Sequence, residues 1–197
     1  TTHRTGTIGM IVSDASNYFF GEMLRGVEDV LHPAQYSLTI CNTDEVLERE
    51  AHYLDLLLRH RVDGIIAAAT SQHWSALHEA EVQHTPVVFV DRKFADLSGL
   101  YVGVDNEGGA YLGTRHLIEK GYRRLGILAG FQRLSTMRER LHGFRRAVEE
   151  SGLPLRDEWV IDSPLSIEGG RQAISKLLAL PELPEAIFVN NNLLALG

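Results

Sequence analysis

The chain of 197 residues carries 19 Lys and Arg against 26 Asp and Glu, a formal net charge of −7, with 44% apolar residues and one Cys. One Cys closes no internal disulfide and supplies no Cys-rich zinc or iron–sulfur site, and the acidic balance argues against a nucleic-acid surface within this chain. No stretch approaches the ~20 apolar residues needed to cross a bilayer, and the length suits one large domain or two of roughly 100 residues.

Thr1 to Thr5 reads as a linker remnant that leaves no room for a signal peptide. Thr7-Ile8-Gly9-Met10-Ile11-Val12 is a short, β-branched apolar run, predicted as a buried strand. Residues 17–31 place Phe20, Met23, Leu24, Val27 and Leu31 at helical spacing, and Tyr36 to Cys41 reads as a strand. Leu47, Ala51, Leu54, Leu57 and Leu58 mark a second amphipathic helix with Thr43 or Asp44 as its cap. A strand at 64–67, a helix at 71–82 and strands at 86–90 and 100–104 follow, with the longest irregular stretch of this half at 91–98. A helix over 106–119 stops at Gly121, a strand covers 124–129, and Thr136-x-x-Glu139 opens a helix to Glu150 as a capping box. Val160-Ile161, a helix over 167–179 and a strand over 186–189 complete the pattern. Alternating apolar strands and helices of 10–15 residues specify an α/β fold with doubly wound parallel sheets, and the break near Val104-Asp105 divides it in two.

The motifs of nucleotide and hydrolase chemistry are missing. The loop after the first strand is Ser13-Asp14-Ala15-Ser16-Asn17, not G-x-G-x-x-G. No phosphate-binding G-x-x-x-x-G-K-[ST] and no G-x-S-x-G elbow occurs, and His78-Glu79-Ala80-Glu81-Val82 fails the H-E-x-x-H pattern at its last position. The nine His are scattered without metal-ligand spacing, and Cys41 closes a predicted strand as a buried structural thiol. No catalytic residue, metal site or cofactor is therefore expected. Open α/β sheets bind ligands beyond the carboxyl ends of their strands. Here those ends carry Asp14 to Phe20, Asp91-Arg92, Asp105, Leu134 to Arg140 and Asn190-Asn191-Asn192. Aromatic faces with a few Asp, Asn and Arg groups suit a small sugar-like ligand.

These residues carry a resemblance. Thr7 to Val12, Asn17-Tyr18-Phe19-Phe20, Arg61-Val62-Asp63-Gly64-Ile65-Ile66 and Pro86 to Arg92 resemble the effector-binding core of LacI-type transcriptional repressors. So do Val104-Asp105-Asn106-Glu107-Gly108-Gly109, His116 to Arg124, Arg140-Leu141-His142-Gly143-Phe144 and Ala186 to Gly197. The resemblance implies two subdomains of the type 1 periplasmic-binding-protein fold, at 6–104 and 105–197, the second incomplete. It also implies a small carbohydrate-like effector in the cleft between them, a homodimer, no membrane, and operator DNA held through a headpiece outside this chain, in the cytoplasm. A periplasmic sugar-binding protein of a transporter is the alternative on the same fold.

The resemblance implies effector contacts at Phe19 and Phe20, at Asp91 and Arg92, at Ser135 and Thr136, and at Arg140. Each has a competing role. Phe20 shares helical spacing with Leu24 and Val27, Asp91 and Arg92 can bond each other, Thr136 can cap its helix, and Arg140 sits in an Arg-rich run with Arg138. Asp14, on the first loop, divides between ligand binding and capping. Asn192 stands where many relatives have Asp, and a neutral amide there permits a sugar acid or a phosphorylated ligand. Leu165 replaces an aromatic cleft residue of some relatives, which weakens purine stacking. Asp105 reads as a helix cap, and Trp74 and Trp159 as packing residues.

Overall fold

The computed structural model describes residues 4–70, 80, 84–93 and 100–197. The helix expected at 71–82, with Trp74, and most of the stretch at 91–98 lie outside the described residues. The chain divides into two compact units, Thr1–Gly103 and Val104–Gly197.

The first unit contains β1 (Thr7–Val12), α1 (Tyr18–Leu31), β2 (Ser37–Asn42), α2 (Leu47–Arg59), β3 (Gly64–Ala67), β4 (Val87–Val90) and β5 (Leu100–Val102). Its strands form one sheet in the order β2-β1-β3-β4-β5, every neighbouring pair parallel. Side chains of β1 alternate between two apolar layers, as strand geometry requires. Met10 and Val12 pack with Phe20, Ala68 and Val90, against Met23, Leu24 and Val27 of α1. Ile11 turns the other way, into a layer with Leu54, Leu57, Leu58, Ile65 and Phe89 that covers α2. Cys41 is buried in that second layer, and burial pushes its thiol pKa up, so it stays protonated and inert.

The second unit contains α3 (Asn106–Glu119), β6 (Leu125–Leu128), α4 (Ser135–Glu150), a 3₁₀ turn (Asp157–Trp159), β7 (Val160–Ile161), α5 (Ile167–Leu178), β8 (Ala186–Val189) and α6 (Asn192–Leu196). Its parallel sheet runs β7-β6-β8. Leu125 and Ile127 pack with Ile118, Phe144 and Val148 on one face, while Leu128, Ala173 and Leu194 form the layer on the other. Trp159 is fully buried, and its indole Nε1 donates to the Glu182 carbonyl at 3.0 Å, the packing role expected of it.

The helix starts follow local chemistry in part. Asp105 caps α3 by accepting from the Gly108 N–H at 2.8 Å, and Gly121, at φ +99°, follows its end. Three expected caps are replaced. Asn17, not Asp14, caps α1, accepting from the Phe19 N–H at 3.1 Å. Asp14 instead accepts from Ser16 N–H at 2.8 Å and Ser16 Oγ at 2.7 Å, bracing the loop that leads into the cap. Val46, with no side-chain bond, precedes α2 in place of Thr43 or Asp44, because the Thr43 hydroxyl donates to the Val12 carbonyl at 3.3 Å. The Thr136–Glu139 box does not form. Leu134 is the N-cap and is buried in the core, so the helix starts at Ser135 and Thr136 lies inside its first turn. Glu139 accepts from Asn106 Nδ2 at 3.2 Å.

Candidate functional site

Every residue of the expected effector site lies beyond the carboxyl end of a strand or in the first turns of the helix that follows. In the first unit, Asp14 and the Phe pair follow β1. Phe19 is 41% exposed and Phe20 only 5%, because neighbouring helix positions point about 100° apart. Their rings meet edge to face at 5.2 Å, so the buried ring supports the exposed one.

Asp91 and Arg92 follow β4. Asp91 takes a left-handed backbone, φ 64°, held by its N–H on the Val102 carbonyl at 3.0 Å and by the Tyr101 hydroxyl donating to its carbonyl at 3.0 Å. Arg92 is buried. Its guanidinium is bound by the Glu45 carboxylate through Nη1 at 3.0 Å and also through Nη2. Nη1 also donates to the carbonyls of Ala68 at 3.4 Å and Ala69 at 3.3 Å. The Asp91 carboxylate lies 3.7 Å from Arg92 Nε, so the local pair forms but is secondary to Glu45. Glu45 sits in the β2–α2 loop, next to a buried Glu50 whose carboxylate accepts from the Thr70 N–H at 2.5 Å. These bonds tie the ends of β2, β3 and β4 together.

In the second unit, Ser135 and Thr136 are buried in the first turn of α4, and Asn192 is an exposed residue opening α6. Asn191 caps α6, accepting from Leu193 N–H at 2.8 Å. Arg140, one turn into α4, donates from Nε to Asn106 Oδ1 at 2.8 Å and from Nη1 to the Asn190 carbonyl at 2.6 Å. Asn106 is itself oriented by Glu139, so the order Glu139–Asn106–Arg140–Asn190 fixes the guanidinium plane at the carboxyl end of β8. Sequence reasoning missed Glu45, Asn106 and Glu139. No local pattern marks the bonds they make: Glu139 reads locally as half of a capping box, and the partners of the three are 47, 34 and 33 residues away.

Among the described residues, three buried side-chain atoms have no hydrogen-bond partner in the protein: Arg92 Nε, Ser163 Oγ and Asn190 Oδ1. They follow β4, β7 and β8 respectively, all at carboxyl ends. Buried polar groups are nearly always paired, so each of these atoms calls for a partner such as an ordered water or a ligand. The chemistry on offer is directional hydrogen bonding by amides, carboxylates and guanidinium groups, next to an exposed aromatic ring. No group of three or more His, Cys, Asp or Glu among the described residues is placed to hold a metal ion, and no described helix is long and apolar enough to cross a membrane.

The profile of the family described as periplasmic binding proteins and sugar binding domain of LacI family matches residues 5–197. The HTH-type transcriptional repressor PurR of Aliivibrio salmonicida is 34% identical over 98% of this chain, which spans 58% of that relative. A crystal structure of a protein assigned as a ribose operon repressor, from Burkholderia thailandensis, superposes with a TM-score of 0.88 at 33% identity, covering 98% of this chain and 71% of that one. A LacI family transcriptional regulator from Enterococcus faecium, solved with bound ribose, gives a TM-score of 0.84 at 29% identity, covering 96% and 69%. The chain spans a little over half the length of the curated relatives it matches. Profile, sequence and structure agree, and the chain belongs to the family of periplasmic binding proteins and LacI-type sugar-binding domains.

Proposed function

We propose that this chain is the ligand-sensing core of a LacI-type transcriptional regulator. It binds a small carbohydrate-like effector without turning it over, and binding alters the affinity of the whole homodimeric protein for operator DNA in the cytoplasm. The observation that carries this reading is the clustering of oriented and unpaired polar groups at the carboxyl ends of both sheets. Arg140 is held by two hydrogen bonds in a fixed plane, the pre-organisation that bidentate recognition of a small ligand needs. The similarity to a transcriptional repressor supports a regulator over a transport protein, and the similarity to a transcriptional regulator solved with ribose supports a sugar as the effector.

An effector changes DNA affinity only if it binds one state of the regulator better than the other. The experiment is a thermal-shift screen of the full-length protein against neutral pentoses and hexoses, sugar acids and sugar phosphates, followed by operator-binding assays with each hit. Saturating effector raises the melting temperature, as any ligand specific to the folded state does, and shifts operator affinity. A stabilising ligand with no effect on operator binding sinks the regulatory reading. Stabilisation by sugar acids or phosphates alone, with no neutral sugar active, would replace the neutral carbohydrate with an anionic one and agree with the amide at Asn192.

A further inference from the structure

The net charge of −7 is not spread evenly over the chain. In the first unit, the segments that lead into β2, β1, β3 and β4 share one rim, because these strands are parallel neighbours in that order. Backbone bonds lace the rim together. Ser37 N–H donates to the Gly6 carbonyl at 2.7 Å, Asp63 N–H to the Thr7 carbonyl at 2.8 Å and Ile65 N–H to the Pro86 carbonyl at 2.9 Å. Exposed on it are His32 ahead of β2, Arg4 ahead of β1, Arg59, His60 and Arg61 ahead of β3, and His84 ahead of β4. The nearby acids are engaged elsewhere. Asp63 accepts from Thr5 N–H and Gly6 N–H, each at 3.0 Å, and from the Thr5 hydroxyl at 3.3 Å. Asp55, one turn back on α2, pairs with Arg59 at 2.6 Å, and Glu28 and Asp29 of α1 pair with Arg25. Arg4 acts on Asp63 at a distance, without a salt bridge. Among the described residues, neither Arg4 nor Arg61 has an ion pair.

These two arginines are far apart in sequence, yet the Thr5 hydroxyl donates to the Arg61 carbonyl at 3.1 Å, which sets Arg4 and Arg61 side by side. Helix dipoles favour cations at helix C-termini, and that accounts for His32 at the end of α1 and for Arg59 and His60 at the end of α2. It does not account for Arg4, or for Arg61, which stands past the helix in a left-handed backbone, φ 52°. The matching rim of the second unit is built differently. There Arg124, ahead of β6, pairs with Glu185, ahead of β8, at 3.1 Å, so its charge is compensated. Adjacent guanidinium groups with no carboxylate partner suit phosphate oxygens. Duplex DNA, with one negative charge per ~1.7 Å of axis, is the polyanion that the regulator reading supplies. We propose that Arg4 and Arg61 form a contact surface for the phosphate backbone of duplex DNA. The contact is electrostatic and independent of sequence, and it adds to the operator binding proposed above. It rests on the reading of the chain as the core of a DNA-binding regulator.

The test uses the full-length protein and a labelled, mixed-sequence duplex of about 30 base pairs. Fluorescence anisotropy at KCl concentrations from about 50 to about 250 mM gives the slope of log affinity against log salt. Arg4→Gln and Arg61→Gln are each expected to flatten that slope by at least about 1, and the double variant by about the sum, because each lost phosphate contact releases fewer counterions. Affinity then falls most at low salt. Arg61→Lys is expected to keep the wild-type slope, since an ammonium serves a phosphate as a point charge. Arg124→Gln changes the net charge by the same amount at a compensated site, and its slope should match the wild type. Weaker binding by the Arg4 and Arg61 variants at an unchanged slope marks a structural defect and overturns the proposal. Equal flattening by Arg124→Gln makes net charge the whole effect and overturns it too. If the wild type does not bind the duplex at any salt concentration, this inference and the regulator reading fall together. If it binds and neither Arg4→Gln nor Arg61→Gln moves the slope, this inference alone falls.

Discussion

At the residue scale, the fate of Arg92 shows how a side chain's role follows from its partners. Its position beside Asp91 after β4 implied a ligand contact, and the local Asp91–Arg92 pair does form. Most of the guanidinium, however, is used on Glu45 and on carbonyls at the end of β3. Taking one partner out of a buried ion pair leaves an uncompensated charge, whereas replacing both with apolar residues removes the desolvation cost as well. Glu45→Gln is therefore expected to destabilise the protein by roughly 3 kcal/mol, and the double variant Glu45→Leu with Arg92→Met by clearly less. Urea unfolding of the wild type, Glu45→Leu, Arg92→Met and the double variant measures the coupling. Additive losses would show that the pair contributes nothing beyond its separate residues. Of the two roles the sequence left open for Phe20, effector contact and helix core, the structure shows the core packing with Leu24 and Val27. Glu45 was not legible, because nothing near it in the chain marks its partner.

At the element scale, the contact of α3 with α4 depends on close backbone approach. A Cβ placed on Gly143 would lie 2.1 Å from the Glu107 carbonyl oxygen and 3.0 Å from the Tyr111 nitrogen. Both are backbone atoms, so no side-chain rotation relieves the clash. Around this point Glu107 is bound by Arg146 and by His142 Nδ1 at 2.9 Å, and Arg146 lies over the Tyr111 ring at 4.3 Å. The Tyr111 hydroxyl donates to Glu150 at 2.6 Å, which holds its pKa above the ordinary tyrosine value. These pairs are largely exposed and contribute little by themselves. Gly143→Ala is expected to destabilise by roughly 1–3 kcal/mol despite alanine's better helix propensity. A Cβ placed on Gly26, in α1, would meet nothing within 4 Å beyond its own helix backbone, so Gly26→Ala is expected to stabilise by about 0.5–1 kcal/mol. Chemical denaturation of the two variants reads the opposite signs directly. Equal effects would mean that helix propensity, not contact, governs both sites.

At the scale of the whole molecule, the two ends of each sheet have different work. At the amino ends, a carboxylate just before one strand binds two N–H groups just before its neighbour. Asp63, ahead of β3, accepts from Thr5 N–H and Gly6 N–H, each at 3.0 Å, ahead of β1. Glu185, ahead of β8, accepts from Arg123 N–H at 2.7 Å and Arg124 N–H at 3.1 Å, ahead of β6. These backbone bonds hold both carboxyls below their ordinary pKa. A depressed folded-state pKa gives stability that is present above the unfolded values, about 3.9 for Asp and 4.3 for Glu, and is lost as pH falls through the lower folded values. Asp63→Asn should therefore lower the thermal midpoint at neutral pH, with the gap to wild type closing as the pH drops below about 4. A gap independent of pH would remove the charge from the explanation. The alternation of β-branched runs with amphipathic helices made the parallel α/β architecture legible from the amino acids, because backbone periodicity and apolar burial are local properties; the family came instead from the resemblance of whole motifs in their order along the chain. The order of motifs along the chain placed the polar groups at the carboxyl ends for the same reason. The sequence by itself did not reveal that Asn17, Val46 and Leu134 precede the helices, or that Glu45 binds Arg92. Nor did it reveal that Asn106 and Asn190 set the plane of Arg140. Tertiary structure decided these, because a buried polar group bonds whatever partner the packed sheet brings within about 3 Å, however far away it lies in sequence.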